Sequence, residues 1–467
     1  MLGFVNSNYS GSQGLAINPS SMANSKLRGD ISLFTFNSFV NNNYFYLPAG
    51  EASFFKVITG KFEFPYFDKP YGEGERNVPS YYLDKADKNF YVNTKVMGPS
   101  LMWGMNDHFM AVHTAYRMVG SIRKLPYDIA NFSYYAMDYY PQHNIFYQRE
   151  DYHFAAMGWW EAGISYATVL SRPFHTLWSA GVTVNFLAGY SGAYVDGRQT
   201  DYMVYNDSIL NVDYLDGELG FSLPMDYQTN EVDLFHNLIR GTGIGADIGI
   251  TFQYRDKPYM RRYAGMYYRK RFEDYRFKVG LAVLDIGFIN FRTHAEQHSY
   301  DGVSNHHVNV ESLQYTNIND ELNSVSTLLY GDPEASFRGN SFRLYLPMAA
   351  SFTFDYHPEG PWFINATFIT RLPLAEPMLE RPTVIAVTPR YETREIEVSL
   401  PIILYDFYSP RLGLAFRYHG FTIGSDNFGG FLGYMDMTGY DIYFNYKINL
   451  YGSKQPYHSR KNPCYYN

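Results

Sequence analysis

Two histidine groups carry residue types that bind metals: His294-Ala295-Glu296-Gln297-His298, with imidazoles four residues apart, and the pair His306-His307. The helical zinc motif needs Glu directly after its first His, so that both imidazoles share a face and the carboxylate reaches the metal-bound water. Here Glu296 stands two residues on, inside a stretch (292–340) that reads as polar loop, so solvated histidines are expected. Gly241-x-Gly243-x-x-Ala246 has the outline of a dinucleotide fingerprint, whose chemistry requires a helix immediately after it. The next residues, Asp247–Tyr254, alternate as a strand instead, and the glycines suit close packing in a wall. The acid pairs Asp213/Asp216 and Glu395/Glu397 have no partner suited to hydrolysis. Glu395 and Glu397 would share a strand face with Thr393 and Ser399, as in a polar lumen. No Gly-x-Ser-x-Gly elbow is present, and the one cysteine, Cys464, sits near the C-terminus. The chain is therefore read as a non-enzyme without cofactor or metal.

The elements that would hold such residues are strands. Of the 467 residues, 46 are Tyr, 36 Phe and 5 Trp, types that favour strands, and Tyr and Trp also favour a membrane–water interface. Mean hydropathy is nevertheless −0.31, and there is no apolar run of the roughly 18 residues a membrane helix needs. A transmembrane β-barrel reconciles these, because only alternate residues of each strand meet lipid. Net charge is −8, which points to no nucleic-acid partner.

The alternation is plainest in Tyr440–Tyr451. There Ile442, Phe444, Tyr446, Ile448 and Leu450 share one face, and Asp441, Tyr443, Asn445, Lys447 and Asn449 the other. The hairpin around Ser171–His175 repeats it. Trp160, Ile164, Tyr166, Trp178, Val182 and Phe186 face outward, against Glu161, Gly163, Ser165, Ser179, Gly181 and Asn185. The same reading places strands near 29–47, 90–105, 109–122, 158–171, 176–195, 202–222, 243–255, 276–291, 341–356, 361–372, 390–405, 411–418, 421–428 and 440–451. That is fourteen, an even number as bacterial barrels require. With both chain ends periplasmic, the short turns 106–108, 172–175 and 419–420 fall on the periplasmic side. The same parity sends the long 292–340 there too, which means either an insertion or a strand miscounted. Arg261-Arg262 through Arg276 reads as a basic, tyrosine-rich loop. Charges inside the apolar strands, Asp247, Asp285, Arg343, Asp355, Arg371 and Arg417, are expected in the lumen, since Arg facing mid-bilayer lipid costs ~2–4 kcal/mol. There they would pair with one another or hold an internal plug.

Residues 1–28 are small, polar and interrupted by Pro19, and are expected to form a hatch in the barrel mouth. Residues 29–451 form the barrel, and 452–467 a polar, basic periplasmic tail. Met1-Leu2-Gly3-Phe4 has neither a basic nor an apolar leader region, so the numbering is read as mature, with a signal peptide removed.

Within the first segment, Ala16-Ile17-Asn18-Pro19-Ser20-Ser21-Met22-Ala23 resembles the Asn-Pro-Ala hatch motif of FadL-like outer-membrane barrels, with Ser20 in place of Ala. That superfamily holds fatty-acid and aromatic-hydrocarbon channels and the PorV subunit of type IX secretion. Gly241–Gly249, Leu284–Ile289, Thr388-Pro389-Arg390-Tyr391, Leu400-Pro401 and Gly424-Ser425-Asp426-Asn427 are similar to an uncharacterised Bacteroidota branch of it. The resemblance implies a fourteen-stranded barrel, a hatch carrying Asn18, Pro19 and Ser20, and the bacterial outer membrane with its lipid and lipopolysaccharide as surroundings. It implies one of two functions. The first is passive transport or binding of a small hydrophobic molecule. The second is a plugged subunit of a secretion or assembly complex, meeting outer-membrane or periplasmic proteins through its loops and the 452–467 tail. An outer-membrane lipase, whose triad need not be local in sequence, stands behind both.

Overall fold

A computed structural model describes residues 1–50, 80–173, 175–235, 237–256, 275–310 and 316–451, with a few residues between 51 and 79. The expected tail 452–467 and most of the basic stretch from Arg261 lie outside the described residues.

Fourteen wall strands form one closed antiparallel sheet. They are β1 (Gly29–Asn42), β2 (Lys88–Met97 with Ser100–Met105), β3 (His108–Leu125), β4 (Phe146–Ser171), β5 (Thr176–Val204), β6 (Ile209–Ser222 with Gly241–Tyr254) and β7 (Phe277–Phe291 with Glu296–Asn309). Next come β8 (Phe337–Gly339, Phe342–Tyr345 and Ala349–Tyr356), β9 (Trp362–Arg371), β10 (Val384–Glu392), β11 (Ile396–Ser399 with Ile402–Tyr405) and β12 (Ser409–Leu412 with Leu414–Tyr418). β13 (Phe421–Ser425) and β14 (Gly439–Leu450) complete the wall. β14 closes the ring on β1, from Gly29 opposite Leu450 to Asn41 opposite Gly439.

Alternation decides what each side of this wall meets. Outward positions leave Ile164, Phe186, Ile248, Leu281, Phe368, Phe416 and Ile448 exposed, while inward Asp30, Ser165, Asn365, Arg417, Asn445 and Lys447 are buried. An apolar exterior on a sheet with no free edge satisfies every backbone group inside hydrocarbon. Among the described residues no helix is long and apolar enough to cross a membrane. The crossing is made by strands.

The number of strands expected from sequence is found, but two of their assignments differ and offset each other. Residues 202–222 and 243–255 do not form two neighbouring strands. Val204 is the top of β5, and the two halves of β6 run in the same direction, Ile209–Ser222 along the upper part of β5 and Gly241–Tyr254 along its lower part. Conversely, 390–405 is not one strand but β10 and β11, folded at Thr393, where Glu392 faces Glu397. Glu395 thus sits exposed in a turn, off the face of buried Glu397. The correction also resolves the parity of 292–340. That stretch is not a loop at the short-turn end: it contains the upper half of β7, then the helix Ile318–Tyr330 at the long-connection end.

The barrel is lopsided. β4 has 26 residues and β5 has 29, against the ~9–11 that cross a bilayer. β3–β8 therefore rise as a collar above the long-connection end, while β9–β13 stop near the membrane.

Residues 1–28 run inside the wall as short helical turns, Leu2–Val5, Gly11–Ala16 and Pro19–Asn24, almost wholly buried. Leu15, Met22 and Leu27 pack against Met102, Phe109 and Ala167 on one side of the barrel, and Leu2, Val5 and Ile17 against Ala349, Ile369 and Ile403 on the other.

Candidate functional site

The lumen is organised around the way its wall holds residues 1–28. Asn18 caps the turn Pro19–Asn24, its Oδ1 accepting from Ser20 N at 2.9 Å and from Ser20 Oγ at 2.6 Å. Pro19 fits the first position of that turn because its fixed φ is helical and its missing N–H would be unbonded there. Asn18 Nδ2 donates to Ile250 O at 3.2 Å and Thr251 Oγ1 at 3.3 Å, and Ser20 Oγ lies 2.6 Å from Thr251 Oγ1. The seat under these residues is made of three inward glycines on adjacent strands. A Cβ at Gly181 would come within 2.5 Å of the Pro19 carbonyl carbon, one at Gly249 within 2.2 Å of Asn18 Oδ1, and one at Gly280 within 2.8 Å of Asn18 Nδ2. Gly181 faces Gly249 directly across the β5–β6 ladder. Only residues without a side chain let the turn lie this close to the wall.

Toward the short-turn end, buried ion pairs hold the segment. Arg390 donates to Asp355 (2.8 and 3.0 Å) and to Glu392 (3.1 Å). Glu392 also accepts from Lys26 Nζ (2.8 Å) and from the Asn8 amide (3.1 Å) and side chain (3.0 Å). Tyr275 donates to Asp355, and Lys278 lies 3.5 Å from it. Arg417 donates to Glu397 at 3.0 Å, and Ser7 Oγ reaches the same carboxylate at 2.6 Å. Lys447 Nζ donates to the carbonyls of Tyr9 and Ser10 at 2.6 Å each, and Asp30 accepts from Ser12 N at 2.9 Å. Buried charges of this kind persist only where pairs and hydrogen bonds offset desolvation.

Beside the segment, at mid-height, lies a cavity of about 200 Å³. One side is apolar and comes from the segment: Leu2, Val5, Leu15 and Ile17. The other is a charged wall. Arg117 forms a bidentate pair with Asp285 (2.6 and 3.1 Å), Arg381 also donates to Asp285, and Asp285 N donates to Asp247 Oδ1 at 2.7 Å. Lys95 donates to Glu161 at 2.7 Å, and Arg117 lies 3.6 Å from the same carboxylate and over the Trp159 ring. Two donors on this wall, Arg117 Nε and Arg381 Nε, have no hydrogen-bond partner among the described residues.

A bulge aims this wall. Ala246 faces Ile286 and Ile248 faces Val283, so Leu284 and Asp285 together stand opposite Asp247. Asp285 takes a left-handed φ of 54° there, and both residues are buried on the lumen side.

The six charges singled out in the strands thus separate. Asp355, Arg390's partner, and Arg417 belong to the network around Ser7, Asn8 and Lys26, and Asp247 and Asp285 to the cavity wall. Arg371 lies 3.6 Å from Glu380 and 3.8 Å from Asp406. Arg343 requires a correction: it is not in the lumen. It is exposed on the outer face, its guanidinium 4.2 Å from the Phe288 ring and donating to Asn290 Oδ1 at 2.8 Å. β8 keeps step with β7 across the bulge, Leu284 facing Ala349 and Phe288 facing Tyr345. The one extra residue therefore inverts the alternation above it, turning Phe342 and Leu344 inward and Arg343 outward. Of the histidines, His294 and His307 are exposed as expected, and His298 differs. His298 lies on the upper half of β7, buried, with Nδ1 3.0 Å from Ser336 Oγ and Nε2 3.6 Å from Glu296.

Sequence reasoning did not single out Lys95, Arg117, Glu161, Arg381, Arg390, Glu392 or the glycine seat. Glu161, Gly181 and Lys447 were on inward faces by alternation; their partners, on distant strands, were not readable.

A model of a family of unknown function (DUF5723) matches residues 19–426. The chain belongs to this family. The match runs from Pro19 of the seated turn to Asp426 after β13, so it takes in most of the wall. No curated protein matches the chain. Among solved structures, a TodX deltaS2S3 mutant monoaromatic hydrocarbon channel is 8% identical over 95% of each chain, with a TM-score of 0.42. The toluene transporter TodX of P. putida is 10% identical over 95% of each chain, TM-score 0.32. A Pseudomonas aeruginosa FadL homologue is 8% identical over 92% of this chain and 90% of its own, TM-score 0.21.

Proposed function

We propose that this protein is a FadL-like barrel of the bacterial outer membrane that passively binds and passes small hydrophobic molecules, with residues 1–28 as its hatch. The observation that carries this reading is the mid-height cavity. Its apolar side accepts a hydrocarbon surface, and its other side is lined by the polar and charged side chains of Lys95, Asn185, Asp247 and Arg381, so a small molecule with a single polar end fits it best. A route to it through the wall has support as well. Pro99, which has no N–H, interrupts β2, and the register slips there, Met97 facing Ala115 but Leu101 facing Val112. Beside this break an apolar groove of about 740 Å³ runs along the outer surface past Gly98, Tyr116, Trp160 and Phe186. Glu161 borders both groove and cavity.

The test is flux. Purified barrel in lipid vesicles should accelerate entry of a toluene-sized aromatic while leaving ion conductance near that of protein-free bilayers. Equal rates with and without the barrel would refute the reading.

A second reading, a PorV-like docking subunit, is supported by the collar of β3–β8, which presents a large protein surface beyond the membrane. It predicts a stoichiometric partner on purification from native membranes; recovery of the barrel alone would count against it.

A further inference from the structure

The excursion 223–240 interrupts β6. It leaves after Ser222, opposite Gly192, and returns at Gly241, opposite Gly189. Gly189 and Gly192 both face Phe291 on the lumen side, so Tyr190 between them points outward, and its hydroxyl donates to Leu234 O at 3.0 Å. The excursion therefore lies against the outside of the wall. Its height is set by the strand below it. The 14 residues Gly241–Tyr254, at ~3.3 Å each and tilted ~40°, climb roughly 35 Å from the short-turn end, past a ~30 Å hydrocarbon core and into the interfacial layer above it.

The two halves of the excursion differ in kind. In the first, Asp226 Oδ1 accepts from Gln228 N (2.7 Å) and Thr229 N (3.2 Å). Asn230 binds upward, donating to Thr316 O (3.1 Å) and accepting from Ile318 N (3.2 Å) at the start of the collar helix. In the second half, nearest the membrane, Val232, Leu234, Phe235, Leu238 and Ile239 are all exposed, Phe235 at 86%. Arg240, itself buried, braces the base by donating to Leu223 O (3.2 Å) and Asn237 O (2.5 Å). Directly below, on the same strand, Ile244, Ile248 and Ile250 belong to the exposed lipid-facing belt.

We propose that these five side chains are a membrane anchor, inserted into the interface of the leaflet at the collar end. Five large apolar groups within eight residues would be unfavourable in water, and they continue a lipid-facing surface already present beneath them. Asp233, the one carboxylate among them, is exposed and accepts from Phe235 N at 3.2 Å. The anchor would hold the tall β3–β8 side of the barrel at fixed depth, whatever passes through the lumen.

Site-directed spin labels test this on the whole barrel in phosphatidylethanolamine–phosphatidylglycerol vesicles. With Cys464→Ser as background, nitroxides are placed by Phe235→Cys and, on the polar half, Gln228→Cys. At 235, collisions with oxygen should exceed those with an aqueous nickel chelate, and at 228 the order should reverse. An aqueous reading at both positions would overturn the anchor. So would protection of 235 from both reagents, which would mean a covering protein or second copy. Heat-shifted gel mobility checks folding, and Leu238→Cys provides the same readout should Phe235→Cys not fold.

Discussion

Gly249 shows how much of the lumen depends on single residues. With Asn18 Oδ1 2.2 Å from where its Cβ would be, Gly249→Val must push the turn off the wall, at about 1–3 kcal/mol for overpacking. The expected result is a folded barrel with a lower unfolding midpoint and measurable single-channel conductance. Gly339→Ala, where a Cβ meets nothing within 4 Å, should change neither. Arg390→Met is more severe, because it strands Asp355 and Glu392 in the interior; about 3–5 kcal/mol is expected, read as loss of heat-resistant folded barrel on gels. In the collar, the Ser299 hydroxyl first and Arg338 next hold the Asp301 carboxylate below its usual range. A depressed acid contributes stability above its unfolded pKa, and that contribution is lost as pH falls through the folded value. Amide protection at 299–301 and 336–339, corrected for the intrinsic exchange rate at each pH, should therefore fall below about pH 4, and Asp301→Asn should remove that loss. Individual residues were partly legible from sequence. Alternation alone put Lys447, Asn445 and Glu161 on the inner face, but which cation met which carboxylate depended on strands up to hundreds of residues apart.

At the scale of elements, strand existence was more legible than strand identity. Tyr440–Tyr451 alternates without interruption and pairs as one strand from end to end. β6 reads from sequence as two strands because its halves share one wall position, with an apolar excursion between them that looks like a turn joining neighbours. β10 and β11 read as one because a three-residue turn leaves almost no break in the alternation. The bulge at Leu284–Asp285 has no signal of its own, since its effect, turning Arg343 outward, appears some sixty residues later on β8. Arg343 sits level with the excursion 223–240, opposite Asn290, where a long side chain can reach the interface. Arg343→Leu should thus be tolerated, within about 0.5 kcal/mol of the parent in urea unfolding from vesicles.

The whole molecule is a closed wall around a seated segment, with space left between them. The seat of Gly181, Gly249 and Gly280 and the ion pairs of Glu392, Glu397 and Lys447 fix the segment at several heights, so the remaining cavity is a shaped site rather than a loose gap. The proposed binding of a small hydrophobic molecule in this cavity is tested at Ile17, which lies on the apolar side and apart from the hydrogen bonds of the seat. The decisive measurement is equilibrium binding of a small aromatic hydrocarbon bearing one polar group to purified barrel, parent against Ile17→Trp. Saturable binding at one site per chain, weakened tenfold or more by Ile17→Trp (about 1.4 kcal/mol) with folding intact, is predicted. Binding that is absent in the parent, or unchanged when the cavity is filled, would show that the cavity is not a ligand site.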